Sequence, residues 1–151
     1  MATRYADKRD FTREQIRKLL DERQEMLVQF CELAGVVPYQ IHPVEMVDDR
    51  IEMNLRAFCQ KMIDYIATGH FVIYERLLNG GERRGQVLDV AAEVYAGIED
   101  STDIAVAFND KYDELDHALD LSNLSNDLAM LGEAMSNRAD REDRLINALI
   151  S

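Results

Sequence analysis

The chain has 151 residues, of which 47% are hydrophobic and 30% charged, a composition typical of one folded globular domain rather than a disordered segment. Its net charge of -12 is uneven, because residues 1–88 hold 14 acidic and 13 basic side chains whereas residues 89–151 hold 15 and 4. Phosphate backbones repel such a chain, which argues against direct nucleic-acid binding and leaves two interpretations of the charge, plain solubility or attraction of a basic partner.

The first residues, the apolar runs and the cysteines predict where in the cell the protein is found. The first residues are charged, and no apolar run approaches the roughly 18 to 20 residues that cross a bilayer, so we predict neither a signal peptide nor a membrane contact. Cys31 and Cys59 both fall on predicted apolar helix faces, which suggests two buried thiols, no disulfide and a cytoplasmic protein. We expect one domain over residues 1–151, with residues 1–10 flexible.

Apolar residues recur at three- and four-residue spacing through four long stretches, which predicts four amphipathic helices. A capping box, Thr12-Arg13-Glu14-Gln15, is expected to start the first helix, and Gly35 to end it. Asp48 is the expected N-cap of the second helix, which bends at Gly69 into a short helix. The predicted helices are therefore about residues 12–35, 48–68, 70–78, 86–118 and 122–149.

These apolar stripes define the expected core, and no acid interrupts them. Four long helices with short connections predict an all-α fold, an antiparallel up-and-down helical bundle with the short helix after the second. The expected core residues are Ile16, Leu19, Leu20, Met26, Leu27, Phe30 and Leu33; Ile51, Leu55, Phe58, Cys59, Met62, Ile63 and Ile66; Val87, Val90, Ala91, Val94, Ile98, Ile104, Ala105, Phe108, Tyr112 and Leu115; Leu124, Leu128, Leu131, Met135, Leu145, Ile146 and Leu149.

Two motifs could carry chemistry, and neither is complete. Gly80 and Gly85 have the spacing of a phosphate-binding loop, but Gln86 stands where the required lysine would be. Glu114 and His117 match half of a di-iron helix motif that needs a second copy and further inward-facing acids. We therefore predict no metal, no cofactor and no enzymatic activity, and keep a helical-bundle metal protein as a remote alternative.

The outward side of the second helix is the most informative surface. With the apolar stripe facing inward, Gln60, Lys61, Asp64, Thr68 and Phe71 lie on the opposite side, since residues three, four and seven apart share a helix face. A carboxylate beside an exposed aromatic ring can accept an arginine fork while the ring fills a pocket, a common hot-spot composition. The alternative is that Phe71 turns inward and Asp64 is merely solvated, and the spacing does not separate the two.

His70 follows Gly69 at the junction between two predicted helices. One interpretation is a structural imidazole that caps the preceding helix or hydrogen-bonds a carbonyl group. The other is a contact to a partner or support of the corner. A general base is disfavoured, because no nucleophile or convergent carboxylate pair accompanies the histidine in the sequence.

Residues of this segment also form a motif: Phe58-Cys59-Gln60, Asp64-Tyr65, Gly69-His70-Phe71 and Ile73-Tyr74-Glu75-Arg76. It resembles the signature segment of the Rsd/AlgQ family of bacterial anti-sigma regulators. The motif is specific, because bundle packing alone would not require Gln60, Asp64, His70 or Glu75. Weaker similarity extends to Arg23, Leu131-Gly132-Glu133-Ala134, Arg138 and Glu142-Asp143-Arg144-Leu145-Ile146. The chain departs from the family pattern at Lys18-Leu19, where an Arg-Trp pair is expected, and at Ala139 and Arg141, where apolar residues are expected.

The resemblance implies a transcription regulator that binds region four of the housekeeping sigma factor and keeps it from core RNA polymerase and from the -35 promoter element. That region is a basic helix-turn-helix, which an acidic bundle complements. The resemblance also permits a signalling adaptor that binds a phosphocarrier or a stringent-response protein. It implies Asp64 as the contact to a sigma arginine, and it places around Asp64 the partner-binding residues Gln60, Lys61, Thr68, His70, Phe71, Tyr74 and Glu75.

Overall fold

The computed structural model describes the backbone of residues 2–37, 49–74, 77, 82–112 and 120–150, and the side chains of residues 12–37, 50–72, 77, 82–112 and 120–150. Each secondary-structure element in these ranges is a helix, as predicted. The elements are α1 (Ala2–Val36), α2 (Asp49–Gly69), a π-helical turn (His70–Tyr74), α3 (Gly85–Tyr112) and α4 (Leu124–Ile150).

The four helices form the predicted all-α antiparallel bundle. α1 packs along α2 and α3 packs along α4, while α2 also contacts α3 and α1 contacts α4. Polar contacts between α3 and α4 run in opposite sequence directions, since Glu93 pairs with Arg144 whereas Lys111 pairs with Asp127. No helix in the described ranges has the length and apolarity that a membrane span requires.

Two helix boundaries differ from the prediction. α1 begins at Ala2, so Thr12 of the expected capping box is an interior helix residue with a buried side chain. The segment before Thr12 contains no proline or glycine, and nothing in it therefore prevents the helix from starting earlier. The expected N-cap Asp48 lies outside the described residues. Of the short helix expected over residues 70–78, residues 70–74 form a π-helical turn that continues α2 and Leu77 is helical, while the other residues lie outside the described ranges. The flexibility of residues 1–10 stays a prediction.

Buried residues recur along each helix at steps of three, four or seven positions, the seam spacing of a left-handed helical bundle. These buried positions, called here the seam, are mostly apolar, but each helix also has a side chain with a polar group among them. The buried seam residues include Thr12, Ile16, Leu19, Met26, Leu33 and Val37; Ile51, Leu55, Phe58, Met62 and Tyr65; Val87, Val94, Ile98, Ser101, Ala105, Phe108 and Tyr112; Leu124, Leu128, Leu131, Met135, Arg138, Glu142, Leu145 and Leu149.

Several residues expected in the core lie outside it. Leu27 and Ile104 are exposed, and Ile63 is half-buried. Cys59 is buried as expected, whereas the prediction of a buried Cys31 is wrong because that thiol is exposed. The physical reason is shared: each misplaced residue sits one or two positions from a seam residue, and one position rotates a side chain by about 100° around the helix axis.

α1 and α4 approach closely at Gly132, where a Cβ atom would lie 2.9 Å from Cζ of Phe30. The Phe30 ring cannot retreat freely, because it packs edge-on against Phe58 with centroids 5.6 Å apart. We expect Gly132→Ala to lower the free energy of unfolding by about 1 to 2 kcal/mol, since overpacking outweighs the gain in helix propensity.

Gly35 supplies the matched control, because nothing lies within 4 Å of a Cβ atom placed there. Gly35→Ala should raise the free energy of unfolding by about 0.5 to 1 kcal/mol through helix propensity alone. Urea denaturation of both variants measures the difference. Equal effects at the two positions would contradict a tight contact between α1 and α4.

Candidate functional site

The outward side of α2 and the π-helical turn after it carry five predicted residues, called here the α2 face: Gln60, Lys61, Asp64, Thr68 and Phe71. Gln60 and Asp64 are exposed, Lys61 and Thr68 are half-buried, and the Phe71 side chain is 66% exposed. Of the two arrangements left open by the spacing, the structure has the one in which Phe71 points away from the core. The α2 face therefore combines a surface carboxylate with an accessible aromatic ring.

Two polar contacts order the α2 face. Gln60 Nε2 donates a hydrogen bond to Asp64 Oδ1 at 3.1 Å, and Lys61 Nζ donates to Glu25 Oε2 of α1 at 3.0 Å. The hydrogen bond to Glu25 raises the pKa of Lys61, and the nearby charges of Asp64 and Glu22 add to the effect. Lys61 is thus directed toward α1, while the hydrogen-bond donor to Asp64 is a neutral amide rather than a cation.

The π-helical turn presents the aromatic end of this surface. His70 is exposed and its ring packs edge-to-face against Phe71, with centroids 5.5 Å apart and an interplanar angle of 77°. Tyr74 is the last residue of the turn. The side chain of Tyr74 and all of Glu75 lie outside the described residues, so their predicted contacts stay predictions. The rings of His70 and Phe71 are therefore in contact at the surface, and the role of His70 stays a prediction.

Inside the bundle, each helix contributes a polar side chain to a single cluster, called here the polar layer: Arg23 of α1, Tyr65 of α2, Ser101 of α3, and Arg138 and Glu142 of α4. Arg138 and Glu142 are each only 1% exposed, and Tyr65 is fully buried. Charged side chains are almost never buried to this degree unless they are paired. The hydrogen bonds of the layer are therefore what make its burial tolerable.

Arg138 is surrounded by acceptors. Its guanidinium also lies over the Tyr65 ring, 5.4 Å from the centroid, which is a cation–π arrangement. The Arg138 hydrogen bonds run from Nε to Glu142 Oε2 at 3.3 Å, and from Nη1 to Thr102 Oγ1 at 2.7 Å, Ser101 Oγ at 3.1 Å and the Ile98 carbonyl oxygen at 3.4 Å.

Glu142 is the acceptor at the centre of the layer. The Tyr65 hydroxyl donates to its carboxylate, and Arg23 forms an ion pair with it at 3.5 Å. Burial raises the pKa of Glu142, and the two neighbouring guanidinium groups oppose that rise. Partial burial by itself would lower the pKa of Arg23. The 2.9 Å hydrogen bond to Asp143 and the negative charges of Asp143 and Glu142 outweigh that effect, so the pKa of Arg23 is raised. The layer thus joins α1, α2 and α4 through one carboxylate.

Burial also raises the pKa of Tyr65, and the Glu142 carboxylate adds to the rise. The folded protein therefore holds this phenol protonated where an unfolded chain ionises, near pH 10. By linkage, the stability that Tyr65 contributes is present below about pH 10 and is lost as the pH rises above it. We expect Tyr65→Phe to lower the free energy of unfolding by about 1 to 2 kcal/mol at pH 8, through the lost hydrogen bond.

The same variant should flatten the fall in stability above pH 10. Urea denaturation at a series of alkaline pH values, followed by circular dichroism, measures both effects. Tyr112, whose pKa is raised mainly by burial and by Asp127, accounts for part of the slope that remains. A pH dependence identical to that of the unsubstituted protein would contradict the buried position of the Tyr65 hydroxyl.

Gly69 brings α2 against the polar layer. A Cβ atom at this position would lie 3.3 Å from Arg138 Nη2, 3.6 Å from Glu142 Oε2 and 3.6 Å from Leu19 Cδ1. The sequence suggested a bend at Gly69. In the structure the absence of a side chain also makes room for the buried guanidinium. The end of α2, which carries Phe71 just beyond it, thus rests directly on Arg138 and Glu142.

The chain matches the family model described as "Regulator of RNA polymerase sigma(70) subunit, Rsd/AlgQ" over residues 2–150. The chain belongs to the Rsd/AlgQ family. Proteins named "Regulator of sigma D" from Salmonella paratyphi B, Salmonella newport and Salmonella heidelberg are each 35% identical to it over 133 residues, which cover 84% of this chain and 76% of theirs. The resemblance inferred from the α2 motif is confirmed.

This Rsd/AlgQ chain accommodates its departures from the family pattern within the bundle. Leu19 is fully buried in the core where a tryptophan was expected. The backbone carbonyl of Ala139 accepts a hydrogen bond from Arg23 at 3.5 Å. The Arg141 side chain lies against Gly97 of α3 and occupies the space that a Cβ atom would need there. A long arginine over a glycine thus fills the space between α3 and α4.

The polar layer of this Rsd/AlgQ protein was the part that sequence reasoning missed. The expectation that no acid interrupts the apolar stripes is wrong, because Glu142 lies on the buried seam of α4. A signal existed: Met135, Arg138, Glu142 and Leu145 continue the alternating three- and four-residue spacing without a break. No group of three potential metal ligands occurs among the described residues, and Glu114, Leu115 and His117 lie outside them.

Proposed function

We propose that this protein is an anti-sigma regulator whose α2 face binds region four of the housekeeping sigma factor. The observation that carries the proposal is Asp64, an exposed carboxylate that in the described structure is held by Gln60 rather than by an internal cation, with the exposed Phe71 ring in the turn that directly follows α2. An arginine of the partner would take the carboxylate, and the ring would pack into an apolar pocket beside it. The family membership supports the choice of partner.

Charge would bring the two proteins together. Sigma region four is a basic helix-turn-helix, and residues 89–151 of this chain hold 15 acidic and 4 basic side chains. Such a field attracts a basic partner over a distance, while the α2 face supplies the short-range contacts. The association rate should therefore fall steeply with added salt, whereas the dissociation rate should change little.

Regulation would follow from occupancy alone. A helix-turn-helix that is covered by an acidic protein cannot place its basic surface on promoter phosphates, and a covered sigma region cannot dock on core RNA polymerase. The mechanism needs no bond to be made or broken. We therefore expect the protein to act in stoichiometric amounts and to lack catalytic activity.

The direct test is isothermal titration calorimetry of isolated sigma region four into the full-length protein. We expect saturable binding of one region four per chain, with a dissociation constant below about 1 μM at moderate salt. Fluorescence anisotropy with a labelled -35 duplex should show that the protein displaces region four from DNA. Absence of binding at low salt would overturn the proposal.

A further inference from the structure

A cleft of about 350 Å³ opens between the end of α2 and α3, called here the α2–α3 cleft. Ile66, Ala67 and Phe71 line one wall, and Glu99 and Asp103 of α3 line the other. Ile66 is buried, whereas Ala67, Phe71 and both acids are exposed, so the cleft has an apolar wall and two carboxylates at its mouth. Its volume lies at the lower end of small-molecule sites, which leaves room for an extended side chain.

The charge of the cleft favours a cation. Arg138 lines the inner end, but its positive charge faces Glu142 and its Nη1 hydrogen bonds go to Ser101, Thr102 and a carbonyl oxygen. Glu99 is oriented at the mouth by the Tyr95 hydroxyl, which donates to it at 2.8 Å. An anionic ligand would therefore meet two carboxylates before it reached a guanidinium whose charge is already balanced.

A lysine or arginine side chain matches both properties of the cleft. Its methylene stem can lie along Ile66, Ala67 and Phe71, while its charged tip reaches the carboxylates of Glu99 and Asp103. Phe71 belongs to the α2 face and also to the cleft. The two surfaces are therefore continuous, and a partner helix on the α2 face would extend over the mouth of the cleft.

We infer that the α2–α3 cleft receives a second basic side chain of sigma region four, in addition to the arginine assigned to Asp64. The inference rests on the proposed function, because it extends the same binding surface onto α3. The inference gives α3 a short-range role. Glu99 and Asp103 would distinguish among basic partners by the position of one basic side chain, in addition to their contribution to the long-range electrostatic field.

Charge-neutralising variants of the cleft test the inference by calorimetry with isolated region four. We expect Asp103→Asn and Glu99→Gln each to weaken binding about 5- to 20-fold at low salt. Asp100→Asn is the matched control, because Asp100 is an exposed neighbour on α3 that does not line the cleft. It should change the affinity less than about 2-fold, since it alters only the screened long-range field.

Filling the cleft should act in the same direction. Ala67→Phe places a ring in the cleft from an exposed position, and circular dichroism would verify that the fold is retained. The occupant is then identified by replacing each lysine and arginine of region four with alanine and combining it with Asp103→Asn. One basic position should show an interaction energy with Asp103, whereas independent positions would show additive effects.

The outcomes separate the inference from the proposed function. If Asp64→Ala abolishes binding while Asp103→Asn, Glu99→Gln and Ala67→Phe bind like the unsubstituted protein, the cleft is not part of the interface and the inference fails alone. If Asp103→Asn is additive with every basic variant of region four, the effect is long-range and the inference also fails. If the unsubstituted protein does not bind region four, both fail.

Discussion

Replacing Glu142 with alanine is expected to lower the free energy of unfolding by about 3 to 5 kcal/mol, as breaking one side of a buried ion pair typically does. The variant leaves the Arg138 guanidinium buried without its carboxylate, and the acceptors that remain to it among the described residues are neutral: the hydroxyls of Ser101 and Thr102 and the Ile98 carbonyl oxygen. It also removes the acceptor of the Tyr65 hydroxyl. Urea denaturation at neutral pH, analysed as a two-state transition, measures the difference.

Two further variants test the reason for this loss. Asp140→Ala removes an exposed acid from the same helix and should change the free energy of unfolding by no more than about 0.5 kcal/mol. Arg138→Met combined with Glu142→Leu removes both charges and should recover much of the stability, because apolar replacement of a whole buried ion pair is often neutral. The single variants Arg138→Met and Glu142→Leu complete the comparison. If the double variant loses as much stability as the two single variants together, or more, the pairing is contradicted.

Replacing Asp64 with alanine is expected to weaken the binding of sigma region four by about 2 to 5 kcal/mol, which is the range for truncating one partner of a desolvated, hydrogen-bonded charge pair. The fold should be unaffected, because Asp64 is exposed and its hydrogen-bond partner in the described structure, Gln60, is on the same helix. Calorimetry measures the loss of affinity, and the urea midpoint of the variant checks that stability is unchanged.

A conservative variant isolates the charge. Asp64→Asn keeps an oxygen that can accept from Gln60 but removes the ionic attraction to an arginine, so it should lose most of the affinity that Asp64→Ala loses. Glu133→Ala, an exposed acid on α4, is the control for net charge and should have little effect. Affinity that is unchanged in Asp64→Ala would remove Asp64 from the interface.

The fold could be predicted because helix periodicity is a local property. Apolar residues at three- and four-residue spacing determine both that α1 to α4 are helices and which side of each faces inward. The outward position of Asp64 followed from the same periodicity, whereas the spacing left open whether Phe71 turns inward, and the structure shows that it is exposed. Residues close to the seam, such as Leu27 and Ile104, were misplaced because hydrophobicity alone does not fix the rotation of a helix to better than one position.

Periodicity could not reveal the polar layer, because a charged residue at an apolar position of a helix is interpreted as an interruption of the buried face. Arg138 and Glu142 are acceptable in the core only since Tyr65 and Ser101 arrive at the same level from α2 and α3. That coincidence is a tertiary property, and four separate sequence positions must be known to be neighbours before it can be seen. The spacing of Arg138 and Glu142 marks the seam, but it does not identify their partners.

The α2–α3 cleft was unpredictable for a related reason. Glu99 and Asp103 belong to the strongly acidic part of the chain and have no sequence feature that distinguishes them from their exposed neighbours. Their position opposite Ile66 and Phe71 depends on the rotation of α3 against α2. Charge composition predicted attraction to a basic protein, whereas the location of two carboxylates at one opening required coordinates.

The contact of Gly69 with Arg138 and Glu142 affects how loss-of-binding mutants should be interpreted. A genetic screen for such mutants would recover substitutions of buried residues in α4, which lie beneath the binding surface rather than on it. These substitutions would overfill or empty the space beneath the turn that holds Phe71. They would move the Phe71 side chain without replacing it. Second-site suppressors in α1 or α3 that restore the fit around the buried guanidinium would distinguish them from true contact residues.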